Sequence, residues 1–245
     1  MKKALLIGSN GFLGEYWSHE LVSNNFETFG IAKGLNNGYI KSVNFTDFDV
    51  TDSNWAEFIE NFINVKRPEI IVFNSGIDSP PGNGFSNIHD FSIKSWKEVF
   101  EVNFFSAISM LNAVNKIEDY KCRIILIGSQ YATLAPSKRL YDHNNHGIGS
   151  VKHPAYSASK TALKAAMKQY ATELAESGII INMLSPGGIF NNQDEEFVRK
   201  FSERSPVKRL GERNELGSAL SFLIDEKNSF CVGLDLLVDG GYSLW

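Results

Sequence analysis

Short apolar runs alternate with longer helical patterns along most of this 245-residue chain. Each crossover between parallel strands needs a connecting segment, usually a helix, so this alternation predicts a parallel sheet covered by helices on both faces. Right-handed crossovers give a seven-stranded, doubly wound α/β fold in one domain, 1–245, with strand order 3-2-1-4-5-6-7. The predicted strands are 2–8, 28–33, 42–50, 69–75, 123–129, 179–185 and 234–238. The predicted helices are 12–24, 53–64, 95–117, 155–177, 194–204 and 213–225.

A glycine-rich turn joins the first predicted strand to the first helix. The run Gly8-Ser9-Asn10-Gly11-Phe12-Leu13-Gly14 follows the apolar stretch 2–7 directly. Glycines allow a tight turn and a close approach of the backbone to a ligand, while the following helix N-terminus directs N–H groups at a phosphate. The strand before the turn and the helix after it favour a dinucleotide phosphate over an ordinary tight turn.

A second pattern is Tyr156-Ser157-Ala158-Ser159-Lys160, which a helix would arrange with Tyr156 and Lys160 one turn apart on the same face. A phenol titrates near pH ~10, so it exchanges protons at neutral pH only if a fixed positive charge stabilises its phenolate. Lys160 can supply that charge. Taken alone, the spacing is more typical of a surface or packing role.

Two residues earlier in the sequence could act together with Tyr156 and Lys160. Ser129 ends the apolar run 123–129, where a parallel sheet presents ligand-contacting groups, and it can hold a substrate oxygen. Asn103 lies in the apolar helical pattern 99–105, where a buried amide needs partners, and it can anchor a water beside Lys160. Singly, Ser129 is more typical of a strand-end cap and Asn103 of a polar residue that bends a helix.

Together these residues resemble the short-chain dehydrogenase/reductase family in its shorter branch, over essentially the whole chain. The tetrad of that family corresponds to Asn103, Ser129, Tyr156 and Lys160. Further matching motifs are Asn74-Ser75-Gly76 after the fourth strand, Asp49-Val50 near the adenine, Pro186-Gly187 beside the nicotinamide, and Val238-Asp239-Gly240-Gly241 in the last strand. The resemblance implies a Rossmann fold and interconversion of an alcohol and a carbonyl, with Tyr156 as general acid and base.

The resemblance also implies a bound NAD or NADP. Its expected contacts are Gly8, Ser9, Asn10, Gly11, Phe12, Leu13, Gly14, Lys33, Asp49, Val50, Asn74, Ser75, Gly76, Tyr156, Lys160, Pro186, Gly187 and Ile189. A carboxylate at the end of the second strand would bind the ribose diol of NAD, whereas a cation would accept the 2′-phosphate of NADP. The stretch 30–33 holds no acid and ends in Lys33, which favours NADP; the alternative is that Lys33 is a solvated turn residue.

Three departures from the family pattern bear on the substrate. The G-x-x-G-x-x-G spacing of 8–14 resembles the longer, sugar-nucleotide-modifying branch. Twenty-six residues separate Ser129 from Tyr156, more than is usual, which predicts a lid-like insertion near 135–153 ahead of a substrate-side helical segment near 190–210. Asn191 stands where the family often has threonine. The lid holds basic and polar residues that either grip an anionic substrate or are merely solvated: Lys138, Arg139, Tyr141, His143, His146 and Lys152.

The stretch 184–197 and the long lid are similar to oxidoreductases of bacterial surface-polysaccharide and flagellin-glycan synthesis, which implies a sugar or sugar-nucleotide substrate. Two alternatives stay open. One is a sugar-nucleotide epimerase or dehydratase that retains its cofactor, which the glycine spacing favours. The other is a non-enzymatic dinucleotide-sensing regulator, a class that normally loses the tyrosine or lysine of the tetrad, whereas Tyr156 and Lys160 are both present.

Composition narrows the setting. The chain has 24 basic and 28 acidic side chains, a net charge of −4 and no basic run, so we expect no nucleic-acid partner. No apolar stretch approaches the ~20 residues that span a bilayer, and the N-terminus lacks a signal-peptide layout, so we expect a cytoplasmic protein with no membrane partner.

Cys122 and Cys231 lack metal-type spacing, and no metal site is predicted. Small residues on the helix of Tyr156, together with the resemblance, imply a homodimer or homotetramer.

Overall fold

The strands form one parallel sheet in a computed structural model that describes residues 1–34, 42–78, 88–141 and 151–245. Its strands in these ranges are β1 (Lys3–Ile7), β2 (Glu27–Ala32), β3 (Val43–Asp47), β4 (Ile70–Phe73), β5 (Cys122–Ile127), β6 (Ile179–Pro186) and β7 (Asp235–Val238). Their order is β3-β2-β1-β4-β5-β6-β7, and every pairing is parallel. The predicted topology is therefore confirmed.

Helices cover both faces of the sheet. Those in the described ranges are α1 (Phe12–Ser23), α2 (Trp55–Lys66), α3 (Ile93–Phe100), α4 (Ser106–Asn115), α5 (Pro154–Leu174), α6 (Glu195–Arg204) and α7 (Gly217–Ile224). One core joins one face of the sheet to α2, α4 and α5, and a second joins the other face to α1 and α7. The strand β5 is almost wholly buried, as expected for a strand covered on both faces.

Two predicted helices are corrected. The pattern at 95–117 predicted one continuous helix, but a π-helical turn at Glu101–Phe105 separates α3 from α4. The apolar pattern persists across the turn because a π-turn adds only a single residue to the repeat. The pattern at 213–225 begins as a 3-10 turn, Arg213–Leu216, in which Glu212 and Glu215 cap each other's backbone N–H groups before α7 starts.

The carboxyl ends of the strands meet at one edge, where the glycine-rich turn, Asn74 after β4 and Pro186 at the end of β6 lie. Helix α5 starts at this edge. The His153 ring nitrogen Nδ1 accepts a hydrogen bond from the N–H of Ala155 at 3.1 Å, and Pro154 occupies the first turn, where its missing N–H costs nothing. This capping fixes the first turn of α5, and with it Tyr156.

Candidate active site

A cleft of about 760 Å³ opens at the carboxyl edge of the sheet. Of the residues predicted to contact the dinucleotide, all except Ser9, Asn10 and Gly14 line it. Ser129 lines it too, whereas Asn103 lies behind its wall and is fully buried. Residues that are far apart in the sequence therefore meet in one depression of the size that a cofactor requires.

The glycine-rich turn is closed tightly against the end of β4. Gly8 has φ +84°, and a Cβ there would lie 2.6 Å from the backbone nitrogen of Ser75. A Cβ on Gly14 would lie 2.3 Å from the Gly8 carbonyl oxygen. Asn74 fixes the turn, because its Nδ2 donates to the Gly8 carbonyl at 2.8 Å and its Oδ1 accepts from Trp17 Nε1 at 3.0 Å.

The turn fits a dinucleotide. Its backbone packs so closely that glycine is required at Gly8 and Gly14, and Gly11 caps α1 with no side-chain hydrogen bond to the first-turn N–H groups. Those N–H groups, together with the positive end of the helix dipole, suit a pyrophosphate. Phe12 lines the cleft, and the Arg213 guanidinium lies 4.9 Å from its ring centroid.

Lys33 and Asp49, predicted separately as cofactor contacts, form an ion pair. Lys33 Nζ lies 2.9 Å from Asp49 Oδ2, and the Lys33 side chain is 79% exposed. The hydrogen bond raises the pKa of Lys33 and lowers that of Asp49. Lys33 follows β2 and Asp49 follows β3, and both line the cleft, so a cation and an anion stand together there.

Tyr156 and Lys160 lie one turn apart at the start of α5, on the face that turns toward the cleft. Lys160 is 4% exposed, and its Nζ donates to the Ile127 carbonyl at 2.8 Å. The same Nζ lies 6.0 Å from the Tyr156 ring centroid. Burial lowers the pKa of Lys160 to about 8, because the ammonium is held in a poorly solvated place with only one described carbonyl partner.

Ser129 follows β5 and caps a short 3-10 turn, Gln130–Ala132, where its Oγ accepts from the Tyr131 N–H at 3.1 Å. Its side chain lines the cleft beside that of Tyr156. Burial raises the pKa of Tyr156, while the Lys152 ammonium and the Ser129 hydrogen bond lower it. Ser129 and Lys152 thus both favour the phenolate form of Tyr156, against the effect of burial.

Asn103 lies in the π-helical turn, and its amide is fully engaged. Its Oδ1 accepts from the Ile77 N–H at 2.7 Å, and its Nδ2 donates to the Ile77 carbonyl and to Ser159 Oγ, both at 3.0 Å. These bonds tie the segment after β4 to α5. A Cβ on Gly76 would lie 3.6 Å from Asn103 Oδ1, an ordinary contact, and 3.3 Å from Lys160 Nζ, which would have to move by a few tenths of an ångström. The role of Asn103 as a water anchor stays a prediction.

Sequence reasoning missed two charged residues of this site. Asp78, after β4, pairs with Lys152, which precedes α5, at 2.5 Å between Oδ2 and Nζ. Lys152 Nζ also lies 5.0 Å from the Tyr156 ring centroid, closer than Lys160. Lys152 appeared in the sequence only as one basic residue of a lid. Its position four residues before Tyr156 gave no signal, because it lies outside the helix that makes such spacing informative.

The predicted lid is described at 135–141 and 151–153. Leu140 and Tyr141 are buried against α6, where they pack in a small core with Phe201 and Tyr242. His143 and His146 lie outside the described residues. The substrate-side segment near 190–210 contains α6, and Asn191 lines the cleft.

The described residues were also compared with the expectations for cysteines, metal sites and membrane spans. Both cysteines are free thiols. Among the described residues, no group of three or more His, Cys, Asp or Glu side chains is arranged to hold a metal ion. Within the same ranges, no helix combines the length and apolar character that crossing a membrane requires.

Comparison with known proteins agrees with this geometry. The family model described as Enoyl-(Acyl carrier protein) reductase matches residues 30–243. The chain is 30% identical to the 3-oxoacyl-[acyl-carrier-protein] reductase FabG of Buchnera aphidicola subsp. Baizongia pistaciae, over 98% of this chain and 96% of the relative. It is 27% identical to glucose 1-dehydrogenase 2 of Bacillus subtilis, over 72% of this chain and 65% of the relative.

Solved structures show the same fold. A short chain dehydrogenase from Leptospira borgpetersenii with bound NAD+ superposes with a TM-score of 0.86 at 22% identity, covering 99% of this chain and 92% of that one. 4-Hydroxyisoleucine dehydrogenase complexed with NADH superposes with a TM-score of 0.81 at 21% identity, covering both chains completely. The sequence matches and the sheet order agree: the chain belongs to the short-chain dehydrogenase/reductase family and is an NAD(P)-dependent oxidoreductase.

Proposed function

We propose that the protein interconverts an alcohol and a carbonyl, with Tyr156 exchanging a proton with the substrate oxygen and Ser129 hydrogen-bonding that oxygen. The observation that carries the proposal is that both side chains line the same cleft, with the buried Lys160 ammonium one helical turn from Tyr156. The nicotinamide, when bound, supplies or accepts the hydride.

Other residues of this chain would hold the cofactor and keep the catalytic residues in position. The turn at Gly8 and Gly14 and the N-terminus of α1 would hold the pyrophosphate, and Lys160 would bind the nicotinamide ribose. Pro186 and Gly187 would lie beside the nicotinamide. Asn103 keeps α5 and the segment after β4 in register through its bonds to Ile77 and Ser159. A proton held between the Tyr156 and Ser129 hydroxyls is in reach of an oxygen bound at the same point.

We propose a sugar or sugar nucleotide as substrate. A pocket of about 160 Å³ adjoins Tyr156 on the side away from the glycine-rich turn, and polar groups of Gln130, Lys152 and Gln193 line it. Gln130 Oε1 is buried and has no hydrogen-bond partner among the described residues, so a substrate hydroxyl that reached it would supply the donor it lacks. The similarity to a glucose dehydrogenase also supports a hydroxylated substrate.

A second candidate is a 3-oxoacyl thioester, which the similarity to acyl-carrier-protein reductases over almost the whole chain favours. A panel of sugar nucleotides, simple polyols, steroids and acyl thioesters separates the two, with nicotinamide absorbance as the readout. We expect turnover with members of the sugar group. Activity confined to acyl thioesters would overturn the sugar proposal and leave the oxidoreductase assignment in place.

We propose that NADP is preferred over NAD, because Lys33 is an exposed cation that lines the cleft just after β2. Lys33→Glu should reduce the ratio of NADH to NADPH dissociation constants about tenfold, since it replaces an attraction for the 2′-phosphate by a repulsion. Calorimetric titration with each dinucleotide measures this. Lys94→Glu, on the exposed side of α3, is the matched charge control and should leave the ratio unchanged. Equal affinities of the wild-type protein for NADPH and NADH would contradict the proposed preference for NADP.

We also propose a homodimer or homotetramer. Exposed apolar side chains support this, among them Phe105 at 49% and Trp245 at 69% exposure, because such groups on an otherwise polar surface are typical of subunit contacts. Sedimentation at micromolar concentration should give a multiple of the 27.4 kDa chain mass. A single monomeric species would contradict this proposal.

A further inference from the structure

The Lys152–Asp78 ion pair lies at the junction of the two cavities. Asp78 lines the larger cleft, Lys152 lines the smaller pocket, and Tyr156 lines both. The Lys152 side chain is 11% exposed, and its ammonium lies 4.8 Å from the Tyr131 ring centroid and 5.0 Å from that of Tyr156. An ammonium this deeply buried needs an anion and electron-rich neighbours, and here it has both.

Tyr156 therefore faces a mixed set of charges. In the described part of the chain these are Lys160 on α5, Lys152 just before α5, and Asp78 after β4. Tyr131, after β5, is the other titratable neighbour. His153 is turned away, with its Nε2 at 2.9 Å from Ser95 Oγ, and burial lowers its pKa. Two cations and one anion thus surround the phenol, and the cation nearer its ring is Lys152.

The two cations are not equivalent. Lys160 directs its ammonium at the Ile127 carbonyl and stands 6.0 Å from the phenol ring centroid. Lys152 has its ammonium against the rings of Tyr131 and Tyr156, with Asp78 as counterion. A charge that close to the ring, in a site with little water, acts on the phenolate with little screening.

We propose that Lys152, held in place by Asp78, is a positioning residue that stabilises the Tyr156 phenolate electrostatically and so sets the pH range in which Tyr156 accepts a proton. This inference rests on the proposed role of Tyr156 and adds a second cation to it. The neighbouring charges act on Tyr156 in the direction that this proposal requires. Burial raises the pKa of Tyr156, the Lys152 ammonium lowers it, and the Asp78 carboxylate raises it.

A purely structural role makes a different prediction. If the ion pair only fastened the segment before α5 to the segment after β4, loss of either partner would disturb Tyr156 in the same way. An electrostatic role requires opposite effects. Removing the cation should make the phenol harder to ionise, whereas removing the anion should make it easier.

The test is an NMR pH titration of the cofactor-free protein with tyrosine labelled by carbon-13 at Cζ. The Tyr156 resonance is assigned by its absence in Tyr156→Phe. We expect the midpoint to move to higher pH in Lys152→Gln, to return in Lys152→Arg, and to move to lower pH in Asp78→Asn. Lys152→Met is a second neutral variant, which carries the test if Lys152→Gln does not fold. The proposal fails if the neutral variant leaves the midpoint in place, or if Asp78→Asn does not lower it.

The rate gives a second readout. In the oxidation direction, where Tyr156 must accept a proton, kcat/KM of Lys152→Gln at neutral pH should fall about tenfold, and the rising limb of its pH profile should move to higher pH. An unmoved limb would overturn the proposal. The titration needs no substrate, so shifted midpoints in a protein without oxidoreductase activity would sustain the electrostatic inference and reject the proposed function.

Discussion

Tyr156→Phe is expected to lower kcat about a thousandfold, while dissociation constants for NADPH and NADH change less than about twofold. Phenylalanine keeps the ring between Lys152 and Lys160 but removes the hydroxyl that Ser129 contacts. Because proton exchange matters mainly in the transition state, the loss should appear in kcat rather than in cofactor binding. Steady-state rates and calorimetric titration of the same preparation measure both quantities.

Tyr170→Phe is the matched control for this change. Tyr170 lies on the same helix, and its hydroxyl donates to Asn112 Oδ1 at 2.6 Å on the exposed side. Its loss should leave kcat within about twofold of the wild type. Near-normal turnover in Tyr156→Phe, or an equal loss of turnover in both variants, would refute the assignment of Tyr156.

Lys160→Met is expected to abolish most activity and yet stabilise the cofactor-free protein. Burial lowers the pKa of Lys160 from 10.5 to about 8, which corresponds to an electrostatic cost of about 3 kcal/mol for the charged form. Methionine removes that cost but leaves the Ile127 carbonyl without its donor, at a cost of about 1 kcal/mol. The free energy of unfolding should therefore rise by about 2 kcal/mol at pH 7.

The stability that Lys160→Met gains over the wild type should decrease as pH rises. Below pH 8 the lysine is protonated in both the folded and unfolded protein, so the cost of the buried charge is present in full. As pH rises from 8 to 10.5, the folded protein releases the proton first, and the stability advantage of Lys160→Met should shrink. Urea unfolding across this range measures the difference.

Lys164→Met serves as the opposite control for stability. Lys164 lies on the same helix, but its side chain is 26% exposed and its Nζ is paired with Asp235 Oδ2 at 2.8 Å. Removing it leaves a largely buried carboxylate without its partner, so this variant should lose stability. A Lys160→Met protein no more stable than the wild type at pH 7 would show that the ammonium is not costly where it lies.

Much of the fold was predictable because its signals are local. Most strands of the sheet are apolar runs bounded by turn residues, and the handedness of crossovers then leaves few possible orders. The same holds for Tyr156 and Lys160, whose relation depends only on helix geometry. The interruption at Glu101–Phe105 was not predictable, since the apolar pattern continues through it. Only the structure shows that Asn103 uses this turn to reach Ile77 and Ser159.

The ion pairs were beyond sequence reasoning for a related reason. Asp78 and Lys152 come from segments on either side of β5, and Lys33 and Asp49 from either side of β3. No spacing rule connects such positions, because their separation depends on how the strands are arranged in the sheet. The sequence identified Lys33 and Asp49 as separate contacts, and in the structure each stabilises the charged form of the other.

The most direct test of the oxidoreductase mechanism follows nicotinamide absorbance and product mass together in one reaction of the wild-type enzyme with NADPH and a carbonyl form of an accepted sugar. We expect one NADPH to be consumed for each product molecule, and the product to be heavier than the substrate by two hydrogens. A product isomeric with the substrate, or one lighter by a water molecule, formed with no net change in nicotinamide absorbance, would contradict this mechanism and indicate an epimerase or dehydratase.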